Sequence, residues 1–284
     1  MTRVTLSVAA LFAGSIVCAP HANAADPAAD AAARRESAVQ TASFTVKFTE
    51  FRAAGSETEG HKPLPSGRLP RPMPPNDKTE EWLDTLAFGA GKVRFDDNRP
   101  LVAGNTGKLI ARKMVFASDG RLSRYHFPEG ASVGPDGFIK QDKKIPFVRQ
   151  IDLAPLTMTV RGMSPDTTYE ILSQLAPTGR TQALEGTACA EYKFTQGNHG
   201  QTEFWLDPKV DYLPRRIQIT HRDGSFDRLD IQYSPHDVVG WIPTTWNRTR
   251  LSSSGKILIS VKATVERVKI NAPIPDSDFE IQFQ

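Results

Sequence analysis

The strongest constraint on this chain is an alternation of apolar and polar residues that recurs through its C-terminal part. After Phe226, Leu229, Ile231 and Tyr233 alternate with Arg228, Asp230 and Gln232. Further on, Ile257, Ile259, Val261, Ala263 and Val265 are separated by Leu258, Ser260, Lys262 and Thr264. A period of two sends successive side chains to opposite faces, so each strand has one greasy side. Antiparallel strands of this kind form a sheet whose apolar face must be covered by helices, a second sheet or a hydrophobic ligand.

The same pattern appears near the N-terminus. Phe44, Val46 and Phe48 share one face of an expected strand from Ser43 to Phe51, after a short Ala-rich helix from about Asp30 to Val39. Strand character returns from Glu80 to Asp97. Leu86 and Phe88 share one parity there, and Val93 and Phe95 take the other, which places a bulge or bend at Gly89-Ala90-Gly91. Lys113 to Phe127 reads as a hairpin around Asp119-Gly120 as a two-residue turn, while Phe138 to Gln150 is polar and ambiguous. Ser164-Pro165-Asp166 is a good helix start, with Tyr169, Leu172 and Ala176 at helical spacing and Pro177 and Gly179 as terminators. That helix is a natural plug for the open side of a curved sheet. Ala183 to Thr195 and Gln201 to Leu206 are the next strands, the first followed by a turn at Asn198-His199-Gly200.

Two registers are derivable. An odd loop centred on Gly224 opposes Ile219 to Leu229 and Ile217 to Ile231, since opposed residues share a face. A loop Ser253-Ser254-Gly255 opposes Leu251 to Ile257, with glycine in the left-handed position.

The first residues carry a different signal. Met1-Thr2-Arg3, an uncharged run from Val4 to Ala19 and Ala22-Asn23-Ala24 fit a secretory signal peptide over 1–24. The mature chain is then expected to start at Ala25, as one domain spanning 25–284 in the periplasm or outside the cell. Val17 before Cys18 makes a poor lipidation site, so the product associates with membranes peripherally at most. Cys189 is then the remaining thiol, with no internal disulfide partner and no residue that obviously activates it. The 54–78 stretch holds prolines at 63, 65, 70, 72, 74 and 75. It reads either as an extended surface loop or as a docking arm for a partner.

The formal net charge of +3 is too small to argue for nucleic acid. The six histidines lack metal-ligand spacing, and no nucleophile elbow, P-loop or dinucleotide motif occurs. Asp96 and Asp97 are adjacent on a strand and point apart. Asn247-Arg248-Thr249 is a chance-grade glycosylation triplet. Trp82, Trp205, Trp241 and Trp246 read as core residues, with one or two expected near a cavity mouth. No enzyme activity, cofactor or metal is expected.

Phe204-Trp205-Leu206-Asp207-Pro208, Leu213-Pro214-Arg215-Arg216, Trp241-Ile242-Pro243-Thr244, Val268-Lys269-Ile270-Asn271 and Asp278-Phe279 occur in that order from residue 183 to the end. In this the chain resembles the LolA/LolB-like superfamily of outer-membrane lipoprotein carriers, to which RseB-type sensors are related. The resemblance implies a mainly β (α+β) fold: a strongly curved antiparallel sheet forming an incomplete barrel, with helices closing its open side. It implies a lipid or lipoprotein acyl chain as ligand, held by Phe88, Phe95, Ile219, Leu229, Ile231, Ile259, Val261, Leu172 and Trp205. The alternative on the same scaffold is an envelope-sensing module whose Pro-rich arm contacts a protein partner. An envelope hydrolase is the third and weakest reading.

Overall fold

The computed structural model describes residues 27–56, 74–89, 91–102, 109–110, 113–119, 121–126, 138–140, 150–160, 175–194 and 201–281. Helix α1 (Pro27–Ala38) leads into β1 (Thr41–Arg52), β2 (Lys78–Gly89), β3 (Lys92–Asp97), β4 (Leu101–Val102), β5 (Leu109–Ile110), β6 (Met114–Ser118), β7 (Ser123–His126) and β8 (Phe138–Lys140). Helix α2 (Gln150–Thr159) follows, then β9 (Leu175–Leu184), β10 (Thr187–Phe194), β11 (Gln201–Asp207), β12 (Leu213–Thr220), β13 (Phe226–His236), β14 (Gly240–Leu251) and β15 (Ile257–Ile270). The signal segment, the core of the Pro-rich stretch, Leu172 and most of the expected helix from Ser164 lie outside the described residues.

Thirteen strands form one sheet in the order β8-β7-β6-β3-β2-β1-β15-β14-β13-β12-β11-β10-β9, while β4 and β5 pair separately. Every neighbouring pair is antiparallel. The N-terminal strands run outward one way and the C-terminal strands the other, and β1 zips to β15 in the middle. β8 and β9 stay at opposite edges, so the barrel is incomplete.

A flat sheet of this many strands would be about 58 Å wide. The two helices are only about 18 and 15 Å long. Yet one contiguous core runs from Phe116 and Tyr125 at one arm to Phe204 and Tyr192 at the other. The sheet therefore curls so that its inner face covers itself. Register shifts supply the bends, at Thr45/Val46, Ala190/Tyr192, Trp205/Leu206, Gln232/Tyr233 and Arg250/Leu251.

The alternation in β1 is realised as read, with Ala42, Phe44, Val46, Phe48 and Glu50 inward and buried. Several local expectations are corrected. Gly89 and Gly91 flank a hairpin turn between β2 and β3, with Phe88 opposite Val93 and Leu86 opposite Phe95, and not a bulge within one strand. Gly91 takes φ 79°, as such a turn requires. The β6–β7 loop spans four residues, 119–122, because Asp119 caps it by accepting from the Arg121 and Leu122 amides. Glu185 and Gly186, both at positive φ, split the expected 183–195 strand into β9 and β10. Leu175 to Gly179 belong to β9, so they do not end a helix; the helix among the strands is α2, in a stretch to which the sequence reading assigned no element.

The β12–β13 register has the expected parity but lies two residues away. Ile217 opposes Leu229 and Ile219 opposes Asp227, because Gly224 is the fourth residue of a five-residue loop and not its centre. The β14–β15 hairpin has the expected Leu251–Ile257 pair and Gly255 at φ 84°. The shift beside it turns Ile257 outward and Leu258 inward.

Asn271, at φ 56°, clasps the two ends of the fold. Its side chain accepts from the Gln40 amide at 2.8 Å and donates to the Ala38 carbonyl at 2.8 Å, tying the end of α1 to the end of β15. Asn271→Gly should lose those side-chain bonds, each worth about 0.5–1.5 kcal/mol. Asn271→Ala should lose about 1–2 kcal/mol more, from left-handed backbone strain. Urea unfolding of the two variants measures both terms.

Candidate functional site

Rows across the inner face show how the strands zone it. Trp82, Phe48, Ala263, Trp246 and Ile231 face one another across β2, β1, β15, β14 and β13. Phe48 stacks on Trp82 at 5.4 Å and meets Trp246 edge-on at 6.1 Å. Two residues along, the row reads Glu50, Val261, Arg248, Leu229 and Ile217. Two further, it reads Arg52, Ile259, Arg250, Asp227 and Ile219. The face is thus aromatic and aliphatic in its middle and charged towards one end.

Glu50, Asp227 and Arg248 at that end have charged partners, whereas Arg250 Nε has none among the described residues. Glu50 is buried between Arg52 and Arg99, and Arg99 lies over the Trp82 ring at 5.6 Å. Arg248 bridges two buried carboxylates, Asp227 at 2.9 Å and Asp152 at 3.0 Å. Asp227 also meets His221 Nε2 at 2.7 Å. Burial works against the Arg248 cation, but Asp152 and Asp227 outweigh it and raise its pKa further above the usual range.

Asp152 belongs to α2, the roof, which packs on β14 and β12. Leu153, Leu156 and Met158 are the roof's buried apolar side chains. Pro155 within α2 removes one helical hydrogen bond, and a ten-residue helix is marginal by itself. Its place on the sheet is supported by those side chains, by the Asp152–Arg248 bridge and by a hydrogen bond between Thr159 and Tyr233.

The other end holds a second ionic group. Arg35 of α1 donates through Nη1 to the Asp211 carbonyl at 2.6 Å and carboxylate at 2.9 Å, and Arg34 shares that carboxylate at 3.0 Å. Tyr233 donates to the Pro214 carbonyl at 2.9 Å, and Arg215 sits over its ring while pairing with buried Asp207.

Of the residues expected to hold an acyl chain, Phe88, Phe95, Leu229, Ile231 and Val261 belong to the buried inner core, and Ile259 packs against it. Ile219 is half-buried on the charged row. Trp205 is on the opposite face, in a small cluster with Leu184 and Cys189, because it has the other parity from Phe204. It does not line the interior. Trp82 and Trp246 do. The charged inward residues were missed, although Glu50, Asp227 and Arg248 sit at the parity of Phe48, Leu229 and Trp246 and were legible from it.

Two hollows lined by described residues lie outside this core. One, of about 530 Å³, is lined by Lys47, Glu81, Trp82, Leu83, Asn98 and Glu266. The other, of about 300 Å³, lies between Lys92, Asp119, Arg124 and the C-terminal turn at Asp276–Phe279. Among the described residues no helix is long and apolar enough to cross a membrane.

No protein-family model and no curated protein matches the chain. Solved structures that it resembles include a DUF1329 family protein from Desulfovibrio piger, at 11% identity and TM-score 0.49, covering 89% of this chain and 95% of that one. Another is a putative outer membrane lipoprotein-sorting protein domain from Vibrio parahaemolyticus, at 13% and 0.48, covering 88% and 95%. MucB is a third, at 13% and 0.21, covering 90% and 62%. With TM-scores under 0.5, these likenesses carry no inference about what this chain binds.

Asp152→Asn, which leaves Arg248 with one carboxylate, should cost about 3–5 kcal/mol, the usual penalty for breaking a buried pair. Chemical denaturation with α2 fluorescently labelled would read it. Burial, then the Asp207 charge, pushes the Cys189 thiol up to about 11. It should resist iodoacetamide at pH 8 and react once the chain is unfolded. Asp119 is held down to about 2, chiefly by the Leu122 amide. Its folded pKa lies below the ordinary value of 3.8, so its contribution is complete above that value and is lost as pH falls towards 2. Asp119→Asn should flatten the acid limb of the stability curve over that window.

Proposed function

We propose that this protein holds a lipid or lipoprotein acyl chain between the inner face of its sheet and α2, and acts in the periplasm as a carrier and not as an enzyme. The observation supporting this reading is the roof: a wide apolar face is capped in part by a short, Pro-interrupted helix that the Asp152–Arg248 ion pair ties to the sheet. In the closed state the face is filled by its own side chains and by that helix, so loading requires α2 to lift.

Magnitudes make the exchange feasible. Uncovering Leu153, Leu156 and Met158 costs about 5–9 kcal/mol, at roughly 1.5–3 each, and parting Asp152 from Arg248 adds about 3–5 kcal/mol. A saturated chain returns about 0.8 kcal/mol per buried methylene. Chains of about 16 carbons therefore match the roof, and chains of about 8 do not. Phe88, Phe95, Leu229, Ile231 and Val261 supply the contact surface, with Trp246 and Phe48 at its centre.

The test is uptake of alkyl chains by delipidated protein, read by native mass spectrometry and by displacement of a fluorescent fatty acid. Chains of 16 carbons should bind one per protein and chains of 8 should not. Asp152→Asn should load faster, because its roof lifts more easily. Protein that stays empty at all chain lengths, with a melting temperature unmoved by lipid, would sink the reading.

A further inference from the structure

The interior contains hydrogen-bond donors with nothing to donate to. Arg35 is 3% exposed, and although Nη1 is satisfied by Asp211, its Nε and Nη2 have no acceptor among the described residues. Trp246 is 1% exposed, and its Nε1 also has none. Unmade bonds of this kind cost about 1–3 kcal/mol each, and more for a charged group, so native proteins rarely keep them.

Their placement ties them to one space. Ala28 and Ala32 of α1 are part of the inner core, and Arg35 follows at helical spacing on the same face. It lies near Tyr233, which is two residues along β13 from Ile231, the partner of Trp246. The charge balance is also incomplete. Arg34 and Arg35 share one carboxylate, Asp211, which leaves the trio with one net positive charge. Asp211 and Tyr212 are consecutive non-glycine residues at φ 60° and 57°, a strained loop that turns the Asp211 carbonyl and carboxylate onto Arg35. That loop satisfies Nη1 of the guanidinium and leaves Nε and Nη2 buried without an acceptor among the described residues.

We infer that Arg35 is the anchor for an anionic headgroup, carboxylate or phosphate, on the amphiphile whose chain lies along the inner face. A guanidinium edge offering Nε and Nη2 in one plane matches two oxygens of either group. Trp246 donates to an oxygen further down the same molecule. The inference rests on the acyl-chain reading and adds the chemistry of the head.

The experiment compares oleate, 1-oleoyl lysophosphatidate and oleyl alcohol, which share a chain and differ in the head. Delipidated full chain should prefer the anions by about 10-fold or more, as charge-assisted bonds of about 1.5–3 kcal/mol imply. Arg35→Met should lose that preference, with circular dichroism reporting whether the variant folds. The ratio of oleate to lysophosphatidate tells which headgroup the site serves. Equal binding of all three by the native protein, or a preference kept by Arg35→Met, overturns the inference and leaves the acyl-chain reading standing. Failure of all three to bind removes both. Should Arg35→Met not fold, oleate labelled with ¹³C at its carboxyl settles the matter on the native protein. Its bound carboxyl should titrate below its free value beside a cation, and titration at or above that value overturns the inference.

Discussion

The structure depends on one unmet demand: a very wide sheet has a single oily face and, among the described residues, no second sheet of comparable size to cover it. The antiparallel ladder satisfies the backbone of each strand but says nothing about that face. Register shifts in five strand pairs bend the ladder until the face closes on itself. The pairing of the first strand with the last holds the two arms together, and Asn271 fastens α1 to that seam. Everything proposed about ligand follows from how incompletely this closure is finished.

The inner face is not uniformly apolar, and its polar parts divide the labour. At one end Arg248 pairs with Asp227 and Asp152, His221 meets Asp227, and the Asp152 bridge helps to fix the roof. At the other, Arg35 is only half satisfied. Buried pairs seldom add much stability over apolar replacements, but they specify where an element sits. Asp152 specifies α2 in this sense. The half-paired arginine is costly to the fold by itself, which is why it points to a missing acceptor and not to a packing role.

Much of the fold was readable from parity. The inward sets of β1 and β13 were assigned correctly from alternation, as was the β14–β15 turn with its glycine. Errors arose where a glycine could serve two ends. At Gly89 and Gly91 a parity change was compatible with a bend or a hairpin, and only the partner strand decides between them. At Gly224 the same ambiguity moved the register by two residues, which keeps every face and so leaves no trace in the pattern. Trp205 was misplaced because bulk suggested a pocket, whereas its parity, opposite to Phe204 and Leu206, put it on the back. Helix α2 was missed because it is short and has Pro155 inside it, so that it exists through its packing.

The sequence by itself determined that the chain makes one-sided antiparallel strands, since a period of two admits no other regular structure. It also determined which residues of a strand face together, because that follows from the chain's own geometry. Tertiary structure decided which end of the face is charged, which helix roofs it and which donors go unanswered. Those outcomes depend on strands far apart in sequence, such as β1 with β15 and α1 with the Asp211 loop, and no local pattern encodes a long-range pairing.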